Sequence, residues 1–297
     1  MEFCSLGLLV LAYGRRTITT NTIKRMTDNF YLVINEKNSR VARWLLRYFD
    51  REPVWEDLTS VNLKAFSKYL LKNISPNSTK TYLAELKSVI NLYKEEVNIP
   101  CKNLKTALKP AKVVKSTHCY LNVADLEKLE KLEGLKKSQQ DVRDIFLLQA
   151  WTGCRLSDAV ELTPANINGN ILSYTSKKTQ TFASIPVKPL VGRIIERLPY
   201  IKVLTKACYN RAIGIICEKA GINEPINLTK SGKRITIPKY EGVSSHTARR
   251  SFATNLYEAG IPINKISYMM GHSNTAMTER YICSNMELSN EVMEFFK

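Results

Sequence analysis

The amino-acid sequence indicates a mainly α-helical protein of two domains, with a small antiparallel β-sheet in the second. Three features lead to this expectation. The chain has 297 residues, enough for two domains that each bury a core. Apolar residues recur with helical spacing through the first hundred residues. Two short strand-like segments, residues 171–175 and 182–187, are joined by a polar turn in the second half.

The first domain, residues 23–108, is predicted to be a helical bundle. It follows an N-terminal extension, residues 1–22, whose apolar run is expected to pack as a strand or helix. Five apolar residues share one face of a helix predicted over residues 39–51: Val41, Trp44, Leu45, Tyr48 and Phe49. A second helix follows Thr59, a candidate N-cap, and a third begins at Ser75 and Pro76. Lysines seven residues apart on the third helix could rest on a phosphate backbone or form an ordinary solvated face: Lys80, Lys87 and Lys94.

A basic linker, residues 109–118, is predicted between the domains. Lysines recur every three or four residues between Lys102 and Lys115, and Pro110 interrupts them. The second domain, residues 119–297, then opens with Asn122 as a helix cap and Asp125 in the first turn.

The second domain alternates further helices with short strands. An apolar helix over residues 142–151 ends at Gly153, and a new helix starts at Arg155. A helical stretch is predicted over residues 190–220 and another hairpin over residues 226–240. A helix runs from Ser244 or Ser245 to Gly260, and the next from Pro262 to Gly271. A last amphipathic helix carries four apolar residues: Leu288, Val292, Phe295 and Phe296.

The composition favours a nucleic-acid partner. The formal net charge is +17 at pH 7, with 44 Lys and Arg against 27 Asp and Glu. Such an excess gives a positive surface suited to a polyanion. The longest apolar run is far shorter than the roughly 20 residues of a membrane span, which argues against a membrane partner. The seven scattered cysteines form no CxxC pair, so reduced thiols in the cytoplasm are expected rather than disulfides or zinc.

Four short segments carry a more specific pattern. They are Thr-Gly-Cys-Arg-Leu-Ser-Asp at 152–158, Ser-His-Thr-Ala-Arg-Arg-Ser-Phe-Ala-Thr at 245–254, Met-Gly-His-Ser at 270–273 and Arg-Tyr at 280–281. With these motifs the second domain resembles the tyrosine site-specific recombinases, the lambda-type phage and transposon integrases. The likeness is closest to the integrases of Bacteroidetes phages and conjugative transposons. The first domain resembles that family more loosely, as a SAM-like core-binding domain.

The resemblance implies an active site of six residues: Arg155, Lys178, His246, Arg249, His272 and Tyr281. Two guanidiniums, which stay charged, suit the oxygens of a phosphodiester as charge builds in the transition state. Arg155 and Arg249 fit that role, whereas Arg155 by itself, at a helix start, would more often form a surface ion pair. Asp158, three residues after Arg155 on the same helix, is expected to hold its guanidinium in place.

The remaining roles follow from the same resemblance. Tyr281 would attack the phosphorus and form a covalent phosphotyrosine. A lysine in a β-turn would protonate the leaving 5′ oxygen, and the turn offers both Lys177 and Lys178; the spacing to Pro186 favours Lys178. His246 would act as general acid or base, and His272 as a hydrogen-bond donor to a phosphate oxygen. No metal or other cofactor is expected, because the phosphotyrosine bond conserves the energy for religation.

These residues predict an enzyme that cleaves and rejoins double-stranded DNA at recombination sites to integrate or excise a mobile element. The resemblance implies a homotetramer on DNA, with the C-terminal helix docking onto a neighbouring subunit or packing within its own chain. Accessory DNA-bending or directionality factors are possible partners. Two alternatives stay open at this point: a topoisomerase-like relaxing enzyme with the same tyrosine chemistry, and a DNA-binding protein without catalysis.

Overall fold

Helices predominate in the computed structural model, which describes residues 29–109, 116–230 and 233–283. The chain divides into two compact units, Met1–Val114 and Lys115–Lys297. Every strand within the described ranges lies in the second unit and pairs antiparallel with its neighbour. The expected fold class, mainly α with a small antiparallel sheet, is therefore confirmed. In these same ranges no helix combines the length and apolar character needed to cross a membrane.

The first unit is a bundle of helices around one apolar core. Its helices are α1 (Phe30–Lys37), α2 (Ser39–Phe49), α3 (Ser60–Asn73), α4 (Pro76–Tyr93) and α5 (Leu104–Ala107). The predicted caps are confirmed: the Thr59 hydroxyl accepts a hydrogen bond from the Asn62 amide, and the Ser75 hydroxyl accepts one from the Ser78 amide, each at 3.2 Å. Both helix starts therefore arise from local side-chain chemistry.

Two features of this unit differ from expectation. Helix α1 was not predicted; Asn29 caps it, and Phe30 packs on Trp55 with ring centroids 4.9 Å apart. The segment after Lys102 is also not all linker, because Ala107 of α5 and Leu108, which follows it, are buried in the core. Most of the predicted linker, residues 110–115, lies outside the described residues.

The second unit surrounds the long helix α7. Its helices are α6 (Val123–Lys131), α7 (Lys137–Thr152), α8 (Leu156–Ala159), α9 (Pro189–Arg197), α10 (Lys206–Lys219), α11 (Ser245–Glu258), α12 (Ile263–Met269) and α13 (Thr275–Glu279). Asn122 caps α6, as predicted, and the Asp125 carboxylate in the first turn accepts in return from the Asn122 amide. Helix α7 packs against α9, α10 and α11 and is buried on most of its surface. This packing brings the end of α7 next to α11.

Two small sheets complete the second unit. Strands β1 (Ile167–Asn168), β2 (Ile171–Thr175) and β3 (Phe182–Pro186) form an antiparallel sheet in that order, with Thr175 opposite Phe182. Strands β4 (Pro225–Lys230) and β5 (Lys233–Pro238) form a separate hairpin. The two predicted hairpins are confirmed, and β1 is an additional short strand.

One predicted helix is wrong as a continuous element. The stretch over residues 190–220 is two helices, α9 and α10, separated by a 3₁₀ turn at Leu198–Tyr200. Pro199 lies within that turn, and the Thr205 hydroxyl caps the new helix by accepting from the Cys208 amide. The predicted apolar run at residues 6–12 and the C-terminal helix from Leu288 lie outside the described residues.

Candidate active site

Arg249 is the most deeply buried cation of the candidate site, with 1% of its surface exposed. It projects from α11 and donates to the carbonyl of Gly153, to the carbonyl of Met270 at 2.6 Å, and to His272 Nε2 at 2.7 Å. Its Nε is buried without a hydrogen-bond partner. The guanidinium is thus held rigidly by three protein acceptors, whereas its Nε donates to none.

The acceptors of Arg249 depend on backbone turns after two helices. Gly153 ends α7 with φ +67°, and a Cβ there would lie 2.4 Å from the Phe252 ring. Gly271 follows α12 with φ +60°. Positive φ angles favour glycine, which explains why the Thr-Gly and Met-Gly pairs of the motifs come at these points.

His272 lies between Arg249 and α13. Since arginine has only donors, His272 Nε2 is the acceptor, and its Nδ1 carries the proton and donates to Thr278 Oγ1 at 2.8 Å. Burial, and then the charges of Arg249 and Arg155, lower the pKa of His272 to about 4. The ring is therefore neutral at pH 7.

Tyr281 lies beside both of these groups. The centroid of its ring is 5.4 Å from that of His272, and the Arg249 guanidinium carbon is 5.3 Å from its ring centroid. The Tyr281 amide donates to the Thr278 carbonyl at 2.8 Å, and the Tyr281 carbonyl accepts from the Thr254 hydroxyl at 3.3 Å. The phenol is thus positioned by α11 and by the turn after α13.

Arg155 enters the site from the start of α8. It donates to the Ser176 hydroxyl at 2.7 Å, and Ser176 donates to the Asp158 carboxylate at 3.0 Å. The Asp158 carboxylate is 4.0 Å from the guanidinium, so it holds Arg155 mainly through Ser176. Ser176 was not predicted, because nothing in the local sequence signals a contact across 21 positions.

His246 faces solvent one turn before Arg249 and Arg250 on α11. Its Nε2 is 3.4 Å from the Lys206 ammonium. Burial lowers the pKa of His246, and the charges of Lys206, Arg250, Arg249 and Arg155 lower it further. Lys206 comes from the start of α10 and was not predicted either.

The two candidate lysines of the β2–β3 turn differ in their surroundings. Lys177 forms an ion pair with Glu161. Lys178 is exposed, and its ammonium makes no hydrogen bond or ion pair with any described residue. The turn is anchored to the site at both ends: Ser176 contacts Arg155, and the Thr181 hydroxyl donates to the Gly271 carbonyl at 2.7 Å.

The fold thus brings Arg155, Arg249, His246, His272 and Tyr281 together through contacts or mutual electrostatic influence. Lys178 makes no hydrogen bond with these residues. It lies near them because Ser176 and Thr181 hold the β2–β3 turn against the site.

Comparison with known proteins identifies relatives of this chain. The sequence profile described as the phage integrase family matches residues 120–287, more than half of the chain. The tyrosine recombinase XerC of Rickettsia typhi is 26% identical over 260 residues, covering 80% of each chain. That of Rickettsia canadensis is 25% identical over 252 residues, covering 76% of this chain and 78% of the relative.

Solved structures show the same fold. A lambda integrase dimer bound to a COC' core site superposes with a TM-score of 0.62 at 16% identity, covering 92% of each chain. The Tn1549 transposon integrase in complex with a circular intermediate DNA gives a TM-score of 0.61 at 16% identity, covering 95% of this chain and 96% of that one.

Proposed function

Because the chain belongs to the phage integrase family and is a tyrosine-type DNA strand-exchange enzyme, we propose that it integrates or excises a mobile element by site-specific recombination. The observation that carries the proposal is the contact of the Arg249 guanidinium and the His272 imidazole with the Tyr281 ring. The motif likeness to integrases of Bacteroidetes phages and conjugative transposons favours a mobile element as substrate.

Tyr281 is the proposed nucleophile. Its phenol attacks the scissile phosphorus, its proton passes to a base, and the bond to the 5′ oxygen breaks. The product is a 3′-phosphotyrosine and a free 5′ hydroxyl. Attack of a 5′ hydroxyl from the partner strand reverses these bonds and releases the tyrosine. The number of phosphodiester bonds is conserved, so the cycle requires no external energy source.

Arg155 and Arg249 are the proposed clamp on the nonbridging oxygens. Arg155 is 15% exposed at its side chain and so retains donors for a phosphate, and Arg249 Nε has no protein acceptor. Their fixed positions mean that little reorganisation is needed when charge builds up. Asp158 and Ser176 act as positioning residues behind Arg155.

The histidines divide the proton transfers between them. Burial, and then the charges of Lys206 and the neighbouring arginines, lower the pKa of His246, which suits a base that accepts the Tyr281 proton. His272 Nε2 accepts a hydrogen bond from Arg249. We expect the negative scissile phosphate to draw the Arg249 N–H toward itself and to raise the pKa of His272, so that His272 can donate to a phosphate oxygen.

Lys178 is the proposed general acid for the 5′ oxygen. The ion pair between Lys177 and Glu161 occupies the other candidate, whereas Lys178 is free to reach DNA. The resemblance to the family also favours Lys178 as the general acid.

Double-stranded recombination sites are the proposed substrate, with residues 23–108 as the core DNA-binding domain and residues 119–297 as the catalytic domain. In the first unit, a cavity of about 490 Å³ is lined by lysines, asparagines and a few apolar residues, and by no acidic side chain. Its lysines are Lys87, Lys94, Lys102 and Lys105. This surface suits a phosphate backbone. A homotetramer on DNA and a cytoplasmic location complete the proposal.

The test is a nicked suicide duplex that spans the junction between the element and its host DNA. Loss of the short strand after cleavage traps the covalent adduct, which a denaturing gel resolves. We expect an adduct with the wild-type chain and none with Tyr281→Phe. Tyr268→Phe is the matched control, because Tyr268 is an exposed tyrosine outside the site. An adduct that survives in Tyr281→Phe would contradict the proposal.

A further inference from the structure

The buried and half-buried cations of the second unit fall into two groups. Within the described residues, four of the six contact a carboxylate: Arg143 and Arg197 with Asp144, Arg155 with Asp158, and Lys239 with Asp125. In the same ranges Arg249 and Arg250 have no carboxylate partner. Arg249 is already the proposed ligand of the scissile phosphate. Arg250 also has no carboxylate partner among the described residues, but it was not among the predicted site residues.

Arg250 occupies the active-site face of α11. His246 precedes it by one turn and Thr254 follows it by one turn, so the three side chains lie along one side of the helix. The Thr254 hydroxyl donates to the Tyr281 carbonyl and accepts from the Cys283 amide at 3.0 Å. Arg250 thus lies between the proposed general base and the segment that follows the nucleophile.

The surroundings of Arg250 leave its charge uncompensated. Its Nε is buried without a hydrogen-bond partner, and burial lowers its pKa. The groups whose charges influence it are Tyr281 and the thiols of Cys283 and Cys119, and burial raises the pKa of both thiols. A half-buried cation without a counter-charge costs stability unless an acceptor arrives from outside the protein.

We propose that Arg250 binds a second DNA phosphate, adjacent to the scissile one. Successive residues on a helix point about 100° apart, so Arg250 does not share the phosphate that Arg249 holds. The inference rests on the proposed function. It adds a backbone contact that secures the cleaved strand beside Tyr281 without taking part in bond breaking.

The test compares Arg250→Gln and Arg250→Lys with Arg193→Gln in the full chain. Arg193 is an exposed arginine on α9 and serves as the charge-matched control. Thermal melting comes first: Arg250→Gln is expected to melt at or above the wild-type temperature, because it removes an uncompensated charge. A lowered melting temperature confined to this variant would indicate a structural role instead.

DNA affinity is then measured on the suicide duplex over a range of salt concentrations. Arg250→Gln is expected to bind about tenfold more weakly, and its log–log salt slope should fall by about 0.9. Arg250→Lys should restore the slope, since it keeps the charge, but only part of the affinity. Cleavage of the saturated complex should stay within a few-fold of wild type.

Methylphosphonate substitution locates the contact, because it removes the charge of one phosphate at a time. Neutralising one phosphate next to the scissile position should weaken the wild type and leave Arg250→Gln unaffected. Equal affinity and salt slope for Arg250→Gln and wild type, on a duplex that the wild type cleaves, would overturn this inference alone. A wild-type chain that forms no adduct would instead contradict the proposed function and the inference with it.

Discussion

At the scale of single residues, the site is a set of donors held by acceptors that are distant in sequence. Arg249 is fixed by the carbonyls of Gly153 and Met270, and Arg155 by the Ser176 hydroxyl. Preorganisation of this kind lets a donor meet the developing charge without a conformational cost. Both guanidiniums are therefore already fixed in position by the fold.

The motifs predicted the six proposed catalytic residues and Asp158 behind Arg155, but not the other residues that support them. Ser176, Thr278 and Lys206 each contact a predicted residue. None stands out in the sequence, because serine, threonine and lysine are common and their contacts are made only after folding. Arg250 shows the same limit: its missing counter-charge is a property of the packed structure.

The assignment of the general acid can be tested by comparing Lys178→Met with Lys177→Met. Losing a positioned general acid typically costs about 100-fold or more in rate, so Lys178→Met should cleave at least that much more slowly. Lys177→Met should cleave nearly as fast as wild type, because its ammonium pairs with Glu161.

A leaving group that needs no proton provides the matching check. Replacing the bridging 5′ oxygen with sulfur should restore cleavage by Lys178→Met, since a thiolate leaves unprotonated. Failure of this rescue, or a larger defect in Lys177→Met, would move the role away from Lys178.

The lowered pKa of His272 predicts that the free energy of unfolding decreases at acid pH. Its pKa is about 4 in the folded state against an ordinary value near 6.5. The unfolded state therefore binds more protons, and stability is lost as pH falls from about 6.5 to about 4. The pKa difference of about 2.5 sets the loss at no more than about 3.4 kcal/mol, at 1.36 kcal/mol per pKa unit.

Denaturant unfolding at pH 7 and at pH 4.5 measures this effect. The wild type should lose more stability between the two values than His272→Gln, which does not titrate. Equal losses in the two proteins would show that His272 is not the group responsible.

At the scale of elements, helix and strand starts were the most predictable features. The caps at Thr59, Ser75 and Asn122 act within three residues of the helix start, so the sequence alone reveals them. Helix α1 and the break between α9 and α10 were missed. Helix α1 depends on Phe30 packing against Trp55, a contact 25 positions away, and the predicted helix over residues 190–220 disregarded Pro199.

At the turn after α7, the substitution Gly153→Ala is predicted to destabilise the fold. Gly153→Ala combines a positive φ with a Cβ that would lie 2.4 Å from Phe252. We expect a loss of about 2–4 kcal/mol in unfolding free energy, together with weakened cleavage, because the Gly153 carbonyl accepts from Arg249.

Gly134→Ala is the matched control for this prediction. Gly134 also has a positive φ, +71°, but no atom lies within 4 Å of the position of an added Cβ. It should lose only about 1 kcal/mol. Similar melting temperatures for the two variants would argue against the tight packing of the α7 turn on Phe252.

At the scale of the whole molecule, net charge and fold describe the substrate in general terms only. A net charge of +17 favours a polyanion, and the fold is shared with integrases solved on DNA. Neither property selects a DNA sequence. Phosphate contacts set affinity and register, whereas base contacts set the site.

The chemical identity of the covalent intermediate tests the central claim most directly. The trapped adduct is digested with nuclease and protease, and the modified peptide is sequenced by mass spectrometry. We predict a nucleotide joined through its 3′ phosphate to the Tyr281 phenol, and a free 5′ hydroxyl on the released strand. A nucleotide on any other residue, or a 5′-phosphate linkage, would contradict it.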